Sequence, residues 1–302
     1  MKRYYKQWFW PLVLPAIILF AFTTFVPFLV GIFYSFTGWK GTFFLKDKTP
    51  YESPFQAIVG FQNYIDAFKN AQFTHAFWYT VKFTLIAVIV INIVSLILAL
   101  ILTSIKKFTG LFRSAFFIPN LLGGLALGFV WQFIFEVIFS KIFFGPNGII
   151  PIEALTNMTQ GDVKPLFALV IMVTWQMAGY MMVIYITGIN NIPSDLYEAA
   201  ELDGAGTFKQ FWVITVPMLM PAFTIVFFLT LANCFKLLDQ NIALTNGAYH
   251  TRLLALQILR TPSDILPPNY GQAQAQAVIF FVIVAIVTLI QVVITKKQEV
   301  EM

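Results

Sequence analysis

The sequence predicts an all-α integral membrane protein of about six transmembrane helices, and three observations carry that prediction. Of its 302 residues, 59% are hydrophobic and only 11% are charged, whereas soluble chains carry about a quarter charged residues. A water-soluble fold of this length must still cover its surface with polar groups, and this chain has too few. Phenylalanine alone supplies 34 residues. Finally, the chain contains six apolar stretches near the roughly 20 residues that a helix needs to cross a bilayer core.

In order, the stretches run over 10–36, 81–104, 111–139, 166–189, 214–238 and 273–295. We read them as one transmembrane domain covering 1–302. The first follows Lys2, Arg3 and Lys6. Its apolar run is far longer than the core of a signal peptide, and no A-x-A cleavage site follows, so it is read as a retained helix. Pro11, Pro15 and Pro27 punctuate it, and Pro27 is expected to kink it.

An even number of spans puts both termini on one side. Lys2, Arg3 and Lys6, then Lys106, Lys107 and Arg113, then Lys209, then Lys296 and Lys297 fall on that side, packed close to helix ends. The positive-inside rule makes it the cytoplasm. The net charge of +5 fits that distribution. No basic stripe forms, so nucleic acid is not an expected partner.

Little in the chain supports enzyme chemistry. Cys234 is the single cysteine, and the two histidines, His75 and His250, stand far apart in sequence. No metal-ligand spacing appears, and no nucleophile–base pair suggests a catalytic centre. No G-x-x-x-x-G-K-[ST] occurs, so ATP is not expected to bind here through a P-loop.

The loop 190–213 is the most informative segment. It reads as helix, break, helix. Ser194 is placed to cap the first helix, and Asp195 to favour the positive end of its dipole. Leu196, Ala199 and Ala200 share one face. Gly204 and Gly206 end it, and Thr207 is placed to cap the next. A short helix with small residues on its outer side suits docking into a groove of another protein. An amphipathic helix lying at the membrane surface would read the same way.

Glu198-Ala199-Ala200, three residues, Gly204, nine residues, then Ile214-Thr215-Val216-Pro217 resembles the E-A-A-x3-G-x9-I-x-L-P signature of binding-protein-dependent ABC importer permeases. Only Val216 departs from it. The resemblance extends along nearly the whole chain and favours the carbohydrate branch. Gly60-Phe61-x-Asn63-Tyr64, Gly145-Pro146-Asn147-Gly148 and Leu244-Thr245-Asn246-Gly247 are similar to that branch, although Ala248-Tyr249 stands where Gly-Pro is usual. The resemblance implies the type I importer permease fold and import of sugars or oligosaccharides. It implies that Glu198, Ala199, Ala200, Asp203 and Gly204 couple the chain to an ATPase. It also implies a second, similar but not identical permease, two ATPase subunits that bind ATP and Mg, and an extracellular solute-binding protein.

Polar groups inside apolar helices are costly against lipid, so those within the spans are expected to face a path. Trp131, Gln132, Trp175, Gln176, Tyr180, Asn233, Lys236 and Asp239 are the candidates for contacting sugar, with Tyr185 and Asn92 nearby. Lys236 and Asp239, three residues apart, could instead pair on one helix face. Two other functions remain open. The same fold could import another solute, such as glycerol phosphate, an amino acid or a peptide. A self-contained secondary transporter would need ionisable groups within its helices, and only Lys82, Glu136, Lys236 and Asp239 come near that, all close to span ends.

Overall fold

The computed structural model describes residues 2–105 and 107–297, with side chains from Phe9 onward. Lys106, the side chains of Lys2, Arg3 and Lys6, and residues 298–302 lie outside the described residues. The chain divides into two compact units. One runs from the N-terminus to Thr74 and includes Ile258–Val282. The other is His75–Gln257 with the residues from Ile283 on.

In the first unit, α1 (Lys2–Phe20) passes through a π-helical turn, Ala21–Phe25, into α2 (Val26–Ser35). The turn lies just before Pro27, whose missing N–H and bulky ring disturb the regular ladder. The sequence-based kink thus takes the form of a widened turn. The apolar window of this helix has no buried residue, as expected of a span facing lipid. After α2 comes a small antiparallel sheet, β1 (Trp39–Lys40), β2 (Phe43–Lys46) and β3 (Thr49–Tyr51). Asp47 and Lys48 both take positive φ at the β2–β3 turn, as a two-residue hairpin requires. The helix α3 (Gln62–Lys69) explains the Gly60-Phe61-x-Asn63-Tyr64 pattern. The buried Asn63 amide donates to the carbonyls of Ser35 and Thr37, both at 2.8 Å, and satisfies the end of α2. Tyr64 shares a 2.6 Å hydrogen bond with Ser35.

The helix α4 (Ala71–Ser104) enters the second unit, followed by α5 (Thr109–Phe117), α6 (Gly124–Phe133) and α7 (Lys164–Asn190). The third apolar stretch differs from the sequence expectation. It is not one helix over 111–139. A 3-10 turn at Ile118–Leu121 and an extended Leu122 interrupt it, and the membrane-length helix is Gly124–Phe143, whose second half is π-helical. Pro119 and the Gly123-Gly124 pair make the break, because neither supports a continuous ladder. At the centre of this unit α7 is the most buried of the candidate spans, 67% of its apolar window. Leu169, Met172, Met181, Met182 and Tyr185 are fully enclosed on it. Gly179 lets the Phe116 carbonyl rest against α7, where any side chain would collide.

The loop helix α8 (Ser194–Leu202) leads to α9 (Thr207–Gln210), a π turn at Phe211–Thr215, α10 (Val216–Met218) and α11 (Met220–Phe235). The arms Thr207–Met218 and Met220–Phe235 meet at a 66° bend. Pro217 and Pro221 flank the bend and remove two ladder donors around Leu219. Leu219 itself is fully buried, and Gly188 of α7 leaves the room it occupies. The fifth span is therefore a broken helix that ends at Phe235, not the straight run 214–238. The remaining helices are α12 (Asp239–Leu244), α13 (Leu254–Arg260) and α14 (Tyr270–Lys296).

A buried polar network joins three helices of this unit. Tyr185 of α7 donates to Asn92 Oδ1 of α4 at 2.7 Å, and Asn92 donates to Thr230 of α11 at 3.3 Å. Tyr185 and Asn92, which the sequence suggested near the path, are both buried within this network. Tyr185→Phe removes one donor and leaves the Asn92 carbonyl short of a partner. We expect a loss of about 1–3 kcal/mol, read as a lower unfolding temperature of the detergent-solubilised protein with the variant still inserted.

Candidate functional site

Two surfaces of the second unit carry the candidate residues. The first is α8. Its N-cap position is Pro193, with no side-chain cap bond, and Ser194 is already inside the helix, bonded to Asp195 at 3.4 Å. Thr207 is likewise the first residue of α9, behind Gly206 at the cap position. Both expected caps are therefore shifted by one residue. The C-terminal end follows the sequence closely. Gly204 adopts φ +75°, its N–H bonds Glu201, and Ala205 N–H bonds Ala200 at 2.8 Å. This is the wrapped ending that favours glycine at the left-handed position.

No residue of α8 is buried. Glu198, Ala199, Asp203 and Gly204 are exposed and Ala200 is half-buried. Leu202, at 90% exposure, is the most exposed large apolar side chain among the described residues of the unit. The helix is tied back at one point, a 2.8 Å hydrogen bond between Tyr197 and Thr215 in the π turn before the bend.

The second surface is a cavity of about 430 Å³ where α7, the end of α11, the start of α12 and the 3-10 turn before α6 converge. Gln176 and Tyr180 are one helical turn apart on α7. Asn233 lies in the last turn of α11, Lys236 just past it, and Asp239 and Gln240 open α12. Gln240 donates to Gln176 Oε1 at 2.8 Å, and Gln176 donates to the Leu122 carbonyl at 3.3 Å. Because α11 ends at Phe235 and α12 begins at Asp239, Lys236 and Asp239 do not share a helix face, and neither a hydrogen bond nor an ion pair joins them. Four carboxamides, a phenol, an ammonium and a carboxylate thus offer donors and acceptors to one space. Such convergent polar groups fix the orientation of a bound solute.

The short α12 owes its position to glycines. Gly128 of α6 faces Ala243 at a distance that excludes any side chain, and a Cβ on Gly124 would lie 2.7 Å from that of Asp239. Small residues four apart allow such close helix approach in membranes.

Of the sequence candidates, Gln176, Tyr180, Asn233, Lys236 and Asp239 line this cavity. Trp131, Gln132 and Trp175 do not. The Trp131 ring packs edge-on against Trp175 at 5.7 Å, and Gln132 donates to Glu136 at 3.4 Å. Asn120 and Gln240 were missed. Each neighbours a noticed residue, Pro119 or Asp239, and that adjacency was the available signal. A second, largely apolar cavity of about 470 Å³ begins at Tyr180 and continues along α7 and α11 through Ile184, Gly188, Ala222 and Ile225. Tyr180 therefore stands where a polar section of the α7 surface meets an apolar one.

Comparison with known proteins agrees with this architecture. A model of the family described as "binding-protein-dependent transport system inner membrane component" matches residues 106–300. The probable starch degradation products transport system permease protein AmyD of Thermoanaerobacterium thermosulfurigenes is 38% identical over 99% of this chain and 98% of its own length. The multiple sugar-binding transport system permease protein MsmF of Streptococcus mutans is 28% identical over 98% of this chain and 97% of its own. Among solved structures, a bacterial ABC transporter that imports the acidic polysaccharide alginate superposes with a TM-score of 0.74 at 18% identity, covering 98% of both chains. The same kind of transporter in complex with an alginate pentasaccharide-bound periplasmic protein gives 0.73 at 18% identity, over 96% of this chain and 95% of that one. With that family model across most of its length, a relative matched end to end and the importer fold in its helices, the chain belongs to the binding-protein-dependent transport system inner membrane components, the multi-pass permease subunits of ABC importers.

Proposed function

We propose that this protein is one permease of an ATP-driven importer for sugars or oligosaccharides, with 1–302 acting as one transmembrane domain. The observation that carries the coupling role is α8. A helix with no buried residue, closed by a glycine only that turn requires and tied to a bent span, is built to be held by something outside the chain. In this reading Glu198, Ala199, Ala200, Asp203 and Gly204 dock into a cytoplasmic ATPase, both termini are cytoplasmic, and ATP with Mg binds two such ATPase subunits. A second, non-identical permease completes the path, and an extracellular binding protein delivers the solute. The names of the relatives in the starch-product and multiple-sugar systems support sugar as cargo. So does the cavity. Amides and hydroxyl-bearing groups each donate and accept, as sugar hydroxyls do, and Gln176, Tyr180, Asn233, Lys236 and Asp239 would meet the solute there.

The test is to tag the chain in its host, extract it in mild detergent and identify what co-purifies. The expected result is a stable complex with an ATPase and one different permease. A chain that purifies alone and still transports when reconstituted would sink the importer reading in favour of a secondary transporter.

A further inference from the structure

The two histidines, 175 positions apart in sequence, are brought together at the outer end of α4. The ring of His75 meets that of His250 with centroids 5.7 Å apart and planes at 62°. Both side chains are exposed. A first-row cation sits about 2.1 Å from an imidazole nitrogen, and the ring centre lies about 1.1 Å beyond it, so two imidazoles sharing one cation have centroids about 5–6 Å apart. The observed spacing lies in that range without any movement of the backbone.

The frame that holds the pair is rigid on both sides. His75 stands on the first turns of α4, with Tyr79 stacked beside it at 6.2 Å. His250 lies in the loop 245–252, in the left-handed region at φ +58°, and Asn246, Gly247 and Tyr249 share positive φ. Such a conformation costs about 1–3 kcal/mol per non-glycine residue and persists only where the surroundings impose it. Here Asn241 imposes it. Its amide donates to the Thr251 carbonyl at 2.9 Å, and its side-chain oxygen accepts from Leu253 N–H at 3.0 Å. Leu254 N–H then donates to Thr80 of α4 at 2.7 Å, which fixes the loop to the same helix that carries His75. The imidazoles are therefore preorganised against one another.

We infer that His75 and His250 form a clamp for one divalent first-row transition cation such as Cu²⁺, Ni²⁺ or Zn²⁺. Imidazole is a favoured ligand for these metals. No third histidine, cysteine or carboxylate completes a cluster among the described residues, so water fills the remaining positions and the cation exchanges. When bound, it cross-links the loop to α4 on the solvent side of the unit.

The experiment is calorimetric titration of Ni²⁺ into the intact transporter, purified through a tag that contains no histidine. Wild type, His75→Gln, His250→Gln and the double variant are compared at one pH. Wild type is expected to show one site per copy of this chain. Each single variant should lose at least tenfold in affinity, and the double variant should lose no more than either single, because a shared site breaks once. The substituted side chains are exposed, and metal-free uptake by each variant checks that it is folded. Wild-type binding equal to that of the double variant, a loss confined to one histidine, or losses that add would each overturn the clamp.

Discussion

Replacing Gly204 by valine should cut uptake more than tenfold while the protein still reaches the membrane in normal amount. A β-branched residue at φ +75° is a severe backbone outlier, and a left-handed non-glycine residue costs about 1–2 kcal/mol. Nothing buried compensates, because α8 has no buried residue and the space around Gly204 is open. The strain is therefore relieved by unwinding the last turn, which carries Ala200, Glu201 and Asp203. Ala200 and Asp203 are among the residues proposed to meet the ATPase. Gly204→Asn separates backbone from contact, since asparagine tolerates the left-handed region. The asparagine variant should keep most of the uptake. Uptake is measured with labelled solute in cells, and subunit level by immunoblot of the membrane fraction. Normal uptake by the valine variant at normal level would remove the coupling role from this helix.

The second large effect is expected at Gly128. A leucine there has no room, because Gly128 already touches Ala243 with no side chain of its own. The helix α12 has to move away from α6, and it carries Asp239 and Gln240, two walls of the polar cavity. Overpacking of this kind costs about 1–3 kcal/mol. We expect a lower unfolding temperature and uptake reduced to a small residue. The milder Gly128→Ala should be partly rescued by Ala243→Gly, which restores the lost space from the other side. Such coupling is the signature of direct contact. Absence of any rescue would mean that the α6–α12 approach does not set the cavity.

Much of this fold was legible in the sequence, for a simple reason. A lipid-facing helix must be apolar all along its length, so composition alone locates it. The first, fourth and sixth stretches became helices close to the expected bounds, whereas the second starts at Ala71 and not at Val81. Hydropathy is blind to chain continuity, however. It merged α5 with α6 across Pro119, and it missed the 66° bend at Leu219. Pro119, Pro217 and Pro221 carried that information. The sheet at Trp39–Tyr51 was not legible at all, since strands of two to four residues leave no period to detect.

The candidate cavity was half legible. Gln176, Asn233 and Lys236 stood out as polar groups within or beside apolar runs. Asn120 and Gln240 did not, because they sit on short segments that only folding brings to the same space. Trp131 and Trp175, read from the sequence as candidate sugar contacts, pack edge-on against one another. Sequence can rank side chains by chemistry, but pairing between two aromatic neighbours is decided by helix rotation.

The bend at Leu219 has a mechanical consequence. With its point buried between two prolines and seated against Gly188, the broken helix resembles a bell crank with a fixed pivot. At 1.5 Å per residue the first arm, Thr207–Met218, is about 18 Å long and the second arm, Met220–Phe235, about 24 Å. The first arm is hooked to α8 through Tyr197 and Thr215. The second arm carries Asn233 in its last turn, in the cavity wall, with Lys236 just beyond it. A pull on α8 that turns the crank by about 10° would sweep the cavity end through about 4 Å at that arm length. The displacement at the cavity would thus exceed the one applied at α8.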